Sequence, residues 1–340
     1  MGVHEGGSNA IPTLLAALAL TVLTLWTGSV SAQPSSTVRF GVDTEHNINA
    51  LAQFIAEREG FFAREGIKLQ LVHFLATADR PANRSGMMAA RATFDMTRVQ
   101  TTFLIDEVLN GSNLVAIAGV VNNPAYFIVA RPELKTISQL KGKNLAVTIP
   151  SDGITLTARK IMTMHGLKEG DVAFEDIGGS GPRVACLKSG KCAAASLSQP
   201  SVFEAFDAGF HTLAMHIEAG RLLWVVDVAD RSWAEAHRDL VIKYVRANAA
   251  GMRFIHDSRN REEVVKAAME LTAQPEPRAR DMLSYYWDSK NDVLPQQAEI
   301  DRNGLKAMIA LLGQYGIVKA PLPAPTRFVD LQYAKAAGIQ

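Results

Sequence analysis

The chain has 340 residues, 48% of them hydrophobic and 20% charged, with a formal net charge of +1. These are globular values, enough for two ordinary domains or one large one, and they leave little room for extensive disorder. A near-zero charge gives no electrostatic case for nucleic acid or for an anionic membrane surface.

The N-terminus reads as a processing segment. Ile11 to Trp26, IPTLLAALALTVLTLW, is apolar apart from Thr and is followed by GSVSAQPSS. Val30-Ser31-Ala32 fits the small-residue rule for signal cleavage, so residues 1–32 are expected to be removed and the mature chain to begin at Gln33. MGVHEGGSNA lacks the Lys or Arg usual before such a run. A membrane anchor is the competing reading, but the apolar run is shorter than the roughly 20 residues a span needs. An exported, soluble product is expected.

Strand and helix patterns then alternate. Val38–Val42 alternates as a strand, and Asp43-Thr44-Glu45-His46-Asn47 is a polar loop ending in a helix-capping residue. Ile48, Leu51, Ala52 and Ile55 recur at helical spacing. Ile67, Leu69 and Leu71 alternate as a strand that runs to Phe74. Between them Gly60 and Gly66 flank a turn carrying Phe61 and Phe62, an aromatic plug that packs the helix end onto the sheet. Thr93–Thr97 reads as a short strand, Val99–Leu109 as a helix and Leu114–Val120 as a buried strand. This βαβ order makes the class α/β.

A second round follows Asn122-Asn123-Pro124. Strands are expected at Tyr126–Val129, Leu145–Ile149, Val172–Ile177 and Cys192–Leu197. Helices are expected at Ile154–His165, closed by Gly166, after Gly178–Pro182, with Pro near the first turn, and at Val202–Ala208. From Ala234 onward the pattern is helical, and APLPAPTRF reads as an extended strap.

Cys186 and Cys192, in ACLKSGKC, are the only cysteines. Export favours a disulfide between them; two buried free thiols are the alternative. No neighbouring His or second Cys pair suggests a metal site.

Three ordered stretches carry a family resemblance. AEREGFFAREGIKLQLV resembles a helix–Gly-aromatic-Phe–Glu-Gly–strand signature. ISQLKGKNLAVTIPSDGITLTARKIM and IGGSGPRVACLKSGKCAAASLSQP resemble the strand-to-helix units that follow it. Together they resemble the periplasmic substrate-binding proteins of ABC importers, in the branch handling nitrate, sulfonates, taurine and pyrimidine precursors of thiamine. The resemblance implies a two-lobed, type II periplasmic-binding-protein-like fold, each lobe a mixed sheet flanked by helices. It places lobe one at 33–123 and 226–340, lobe two at 124–225, and a helical C-terminal tail on lobe one. The chain would cross between lobes near Asn123–Tyr126 and Leu222–Asp227. It implies a monomeric receptor for a small polar or anionic organic solute, working with an inner-membrane permease, without a cofactor. The loop ATADRPANRSGMMAARATFDMTR, with Arg80, Arg84, Arg91 and Arg98, departs from the small-residue turn of such relatives.

Ligand in such a protein lies where loops at the carboxyl ends of strands face each other and helix N-termini present unpaired N–H groups. The candidates are Thr44, His46, Asn47, Thr77, Thr97 and Arg98 on lobe one, and Ser151, Gly153, Thr155, Ser198 and Gln199 on lobe two. Asn47 and Ser151 can equally be plain helix caps, and Arg98 can pair with Asp95. Glu45 and Asp152 oppose a strongly anionic ligand, whereas Arg98 and the helix ends favour one. Neither G-x-S-x-G nor a P-loop is present, and Asp106-Glu107 and Glu262-Glu263 are adjacent pairs that share no helix face. A non-catalytic protein is expected; the alternative is an enzyme on the same fold acting on an aromatic carboxylate or pyrimidine precursor. Asn83-Arg84-Ser85 matches a glycosylation acceptor.

Overall fold

The computed structural model describes residues 1–2, 36–42, 47–73 and 91–339. Two five-stranded mixed sheets, flanked by helices, form the two lobes. In the first, β1 (Ser36–Val42) lies between β2 (Ile67–His73) and β3 (Met96–Gln100), parallel to both. β10 (Val225–Asp230) runs antiparallel between β3 and β4 (Leu114–Val121). The second sheet repeats this plan. β6 (Lys143–Val147) lies parallel between β7 (Val172–Asp176) and β8 (Ala194–Ser198). β5 (Tyr126–Ala130) runs antiparallel between β8 and β9 (His211–Met215). The chain therefore passes between sheets twice, through residues 122–125 and 216–224.

Both orders create a switch point, β1/β3 in one sheet and β6/β8 in the other. There the connections after adjacent parallel strands diverge and leave a crevice at the strand carboxyl ends.

All eight residues of β4 are buried, as expected of a strand covered on both faces. The tail after β10 supplies much of that cover, its helices packing on β4 and on the helix Leu51–Arg58. The long helix Arg238–His256 crosses the helix Leu51–Arg58 so closely that a Cβ on Gly251 would lie 2.1 Å from the Ala52 carbonyl oxygen.

Several expectations shift. The aromatic plug is itself a short helix, Phe61–Arg64, entered through Gly60 at φ 70°. Its main partner is the helix Arg238–His256 rather than the sheet: Phe62 stacks on Tyr244 at 5.6 Å and Phe61 meets Phe254 edge-on at 6.1 Å. The strand expected at Thr93–Thr97 begins at Met96, after a 3-10 turn at Arg91–Thr93, and the next helix starts at Thr101. Asp95 sets that register. Its carboxylate accepts from the Arg39 N–H and guanidinium, and its own N–H donates to the Arg39 carbonyl, so pairing opens at Phe40–Met96.

Two strands escaped the pattern. β9 is short and carries His211 and Met215 where β-branched residues would be a signal. The stretch expected as an inter-lobe crossing, Leu222–Asp227, enters β10, an inner strand of the first sheet whose N-terminal neighbours run directly into it. Cys186 and Cys192 are joined, with Cα atoms 5.3 Å apart, tying the end of the helix Ser180–Lys188 to the approach of β8.

Candidate inter-lobe ligand site

The switch points meet through the crossing segments. Trp224 stands at the entrance to β10, where its carbonyl accepts from the Thr101 N–H at 2.9 Å and so anchors the start of the helix Thr101–Leu109. Its ring covers Gly153: a Cβ there would lie 2.7 Å from the indole and 3.5 Å from the Thr102 methyl. The helix Gly153–Met164 of the second lobe thus begins against Trp224 of the crossing segment and Thr102 of the first lobe. Tyr126 packs on Trp224 at 5.9 Å and on His216 at 5.9 Å. On the other side, the Tyr286 hydroxyl donates to Asn49 Oδ1 at 3.2 Å. Tyr126 and Trp224 thus line the join between the lobes, and Tyr286 braces the Asn49 turn.

The sequence candidates occupy distinct places in this frame. Thr44, His46 and Thr77 lie outside the described residues. Asn47 caps the turn Ile48–Ala50 through its side chain, which accepts from Asn49 N–H at 3.0 Å. Thr97 is buried, its hydroxyl donating to the Gly41 carbonyl at 2.9 Å across the β1/β3 switch point. Thr155 is buried and donates to the Thr148 carbonyl at 2.8 Å. The cap of the helix Gly153–Met164 is Asp152, not Ser151: Asp152 Oδ1 accepts from the Ile154 N–H at 2.8 Å. Burial raises the Asp152 pKa, against the lowering effects of that N–H, of Thr148 and of Arg183. Ser151 is half-buried beside it. Ser198 shares a hydroxyl contact of 3.0 Å with Ser180, and its N–H donates to the same Ser180 oxygen. Gln199 is 8% exposed, and its amide oxygen has no hydrogen-bond partner.

Arg98 pairs with Asp227, not Asp95. The guanidinium is bidentate, Nε to Oδ1 at 2.9 Å and Nη2 to Oδ2 at 3.2 Å, and Nη1 donates to the Asn49 carbonyl. Asp227 is wholly buried and also accepts from Tyr244 and Asn248. Burial first, and then the Asp227 charge, hold the Tyr244 hydroxyl well above the ordinary phenol range. This network fixes the turn at Asn49 from behind.

Two residues of the second lobe were not singled out from the sequence. His216 is wholly buried; Nδ1 lies 2.7 Å from Thr157 Oγ1 and Nε2 lies 3.0 Å from Ser196 Oγ. Thr157 donates its hydroxyl hydrogen to the Gly153 carbonyl at 2.6 Å, so it accepts from His216 Nδ1–H, and Ser196 donates to Nε2. Burial, and secondarily the Arg183 charge, lower the imidazole pKa to about 3. Arg183 is 2% exposed and donates to the carbonyls of Gly179 and Ser196. In sequence it reads as an ordinary solvent-facing cation in the first turns of a helix.

Two surface hollows lie at the opposite ends of the strands. One, of about 670 Å³, is bordered by Arg39, Arg91, Asp95, Asp230 and Trp233. The other, of about 530 Å³, is bordered by Arg131, Lys143, Asn144 and Asp171. Of the candidate residues only Thr97 borders either hollow, the larger one. Among the described residues there is no group of side chains suited to a metal ion, and no helix is long and apolar enough to cross a membrane.

Comparison with known proteins decides the family. A model described as NMT1/THI5 like matches residues 47–260. The chain belongs to the NMT1/THI5-like family. No curated protein matches it. Solved structures share the fold of this NMT1/THI5-like chain at low identity. The ligand-binding component of an ABC-type import system from Staphylococcus aureus, with zinc bound, is 14% identical, with a TM-score of 0.73, covering 89% of this chain and 99% of that one. The alkanesulfonate-binding protein SsuA from Xanthomonas axonopodis pv. citri, bound to MOPS, is 17% identical, with a TM-score of 0.68, covering 87% and 99%. The periplasmic nitrate-binding protein NrtA from Synechocystis PCC 6803 is 14% identical, with a TM-score of 0.70, covering 89% and 88%. The neighbours thus place this NMT1/THI5-like chain in the periplasmic-binding-protein fold.

Proposed function

We propose that this protein is a periplasmic solute-binding receptor that closes on a small polar or anionic organic solute and presents it to an ABC permease. The observation that carries the reading is the doubled switch point: two sheets of identical strand order present their carboxyl-end loops to each other across Trp224 and Gly153. Family membership and neighbours that are components of import systems or binders of sulfonate and nitrate support it. The apolar segment before residue 33 serves export in this reading, and the receptor works as a monomer.

In this reading lobe one comprises 33–123 and 226–340 and lobe two 124–225; the membership of the two sheets supports the division, except that Val225 already pairs in the first sheet. Residues 122–125 and 216–224 are the hinge. Asn123 holds it: its Nδ2 donates to the Asn291 and Asp292 carbonyls, and its Oδ1 accepts from the Leu222 N–H at 3.0 Å, so both crossing strands share one side chain. Closure is driven only by contacts the solute makes better in the closed form. Asn47, Ser151, Gly153, Ser198 and Gln199 supply such contacts, and Thr97, Arg98 and Thr155 hold the loops that carry them. Thr44, His46 and Thr77 are further proposed ligand contacts.

Calorimetric titration of the mature protein with alkanesulfonates, nitrate, aromatic acids and pyrimidines tests the reading. Saturable one-to-one binding of one class without turnover is expected. Conversion of the bound solute to product would instead favour the enzymatic alternative, and absence of binding across the panel would refute the receptor.

A further inference from the structure

The second lobe's switch point contains a cation that the scaffold does not neutralise. Arg183 lies one turn into the helix Ser180–Lys188, and its side chain folds back beneath the Gly178–Gly181 turn, where Nε donates to the Gly179 carbonyl at 3.2 Å. Nη1 donates to the Ser196 carbonyl at 2.7 Å, in the gap where β6 and β8 part. Nη2 has no partner among the described residues, and no described carboxylate lies within ion-pair distance. A guanidinium 2% exposed and satisfied only by carbonyls is costly to keep. Asp152, Asp176 and Tyr126 face it at longer range, and His216, uncharged, lies on the same side. Burial raises the Asp152 pKa.

The backbone above the guanidinium is prepared for the same kind of guest. No side chain caps this helix, and Pro182 removes one N–H, so the free first-turn donors are those of Ser180 and Gly181. A Cβ at Gly178, Gly179 or Gly181 would meet nothing within 4 Å, so the turn opens onto empty space. The Ser180 and Ser198 hydroxyls touch at its edge.

We propose that this turn is the oxyanion subsite of the receptor: Arg183 supplies the charge, and Ser180, Gly181 and Ser198 donate to the carboxylate, sulfonate or related head of the solute. The assignment rests on the receptor reading and narrows it to monoanionic oxyacids. A glycine-rich turn entering a helix N-terminus, with a buried arginine below, brings to one small group the dipole, the N–H donors and Nη2, the guanidinium nitrogen without a partner among the described residues.

The test is calorimetry on the mature protein with benzoate, benzenesulfonate, ethanesulfonate and nitrate, set against uncharged benzamide and uracil. At least one oxyanion is expected to bind about 30-fold or more tightly than any uncharged probe. That preference is expected to fall at least about 10-fold in Arg183→Gln and in the double variant Ser180→Ala/Ser198→Ala, each checked for folding by circular dichroism. The serine pair decides the matter if Arg183→Gln does not fold. Saturable binding of uncharged probes only, or oxyanion affinity unchanged in the folded variants, would overturn the subsite and leave the receptor standing. No binding by any probe would remove the receptor reading and the subsite with it.

Discussion

Asp227 accepts four hydrogen bonds at a position with no solvent exposure, from Arg98 twice and from Tyr244 and Asn248 once each. Removing one partner from such a site leaves a buried charge unmatched. Arg98→Met is therefore expected to lower unfolding free energy by about 3–5 kcal/mol, read by urea denaturation; a loss below about 1 kcal/mol would show the pair to be dispensable. His216 makes a different prediction. Its folded pKa of about 3 lies below the unfolded value of 6.5, so the unfolded chain binds the proton first as pH falls. Stability from this group is complete above pH 6.5 and declines between 6.5 and 3, by about 2 kcal/mol on reaching pH 5. In His216→Gln that part of the slope between pH 7.5 and 5 is expected to vanish; an unchanged slope would assign the acid sensitivity elsewhere. At this scale the sequence was partly legible. Thr97 and Arg98, expected just past a strand, lie within β3, Thr97 bound to the Gly41 carbonyl and Arg98 to Asp227. Arg183 and His216 were not singled out, because nothing in the linear pattern shows which polar side chains a tertiary fold will bury.

Elements were more legible than residues, since alternating and helical periods depend on burial of one face and survive in the linear sequence. The strand β1, the helix Gly153–Met164 and the buried strand β4 stand where their patterns put them, to within a few residues. The misses have local causes. The Asp95 carboxylate, engaged by the Arg39 N–H and guanidinium, displaces β3 toward the C-terminus. β10 resists detection because an inner antiparallel strand recruited from late in the chain carries no local mark of its partners. The packing of the tail helix on the first helix depends on one glycine. A Cβ at residue 251 would overlap the Ala52 carbonyl oxygen, so Gly251→Ala is expected to cost about 1–3 kcal/mol. A chemical denaturation midpoint equal to wild type would mean that the helices separate freely.

For the molecule as a whole, the doubling of one strand order is the organising fact. Each sheet is completed by an antiparallel strand that lies across a crossing from its neighbours, β10 in the first and β5 in the second. The two lobes are therefore stitched by the same segments that must flex, and Asn123 binds both. Gly153 lets the lobes approach. In Gly153→Val the added atoms would press on the Trp224 ring, which is expected to cost about 1–3 kcal/mol of stability, and solute affinity of the folded variant is expected to drop about 10-fold or more. Equal affinity would show that this contact does not govern closure. The ligand itself was the least legible feature, because loops carry specificity and several of those that wall the crevice have no periodic pattern to read.

The claim that solute is held between the two switch points is tested most directly by hydrogen–deuterium exchange with and without a saturating oxyanion. Protection is predicted together at residues 47–50 and 100–103 of one lobe and at 151–155 and 178–183 of the other. Protection confined to the hollow around Arg131 and Lys143, or to that around Arg39 and Arg91, would contradict it.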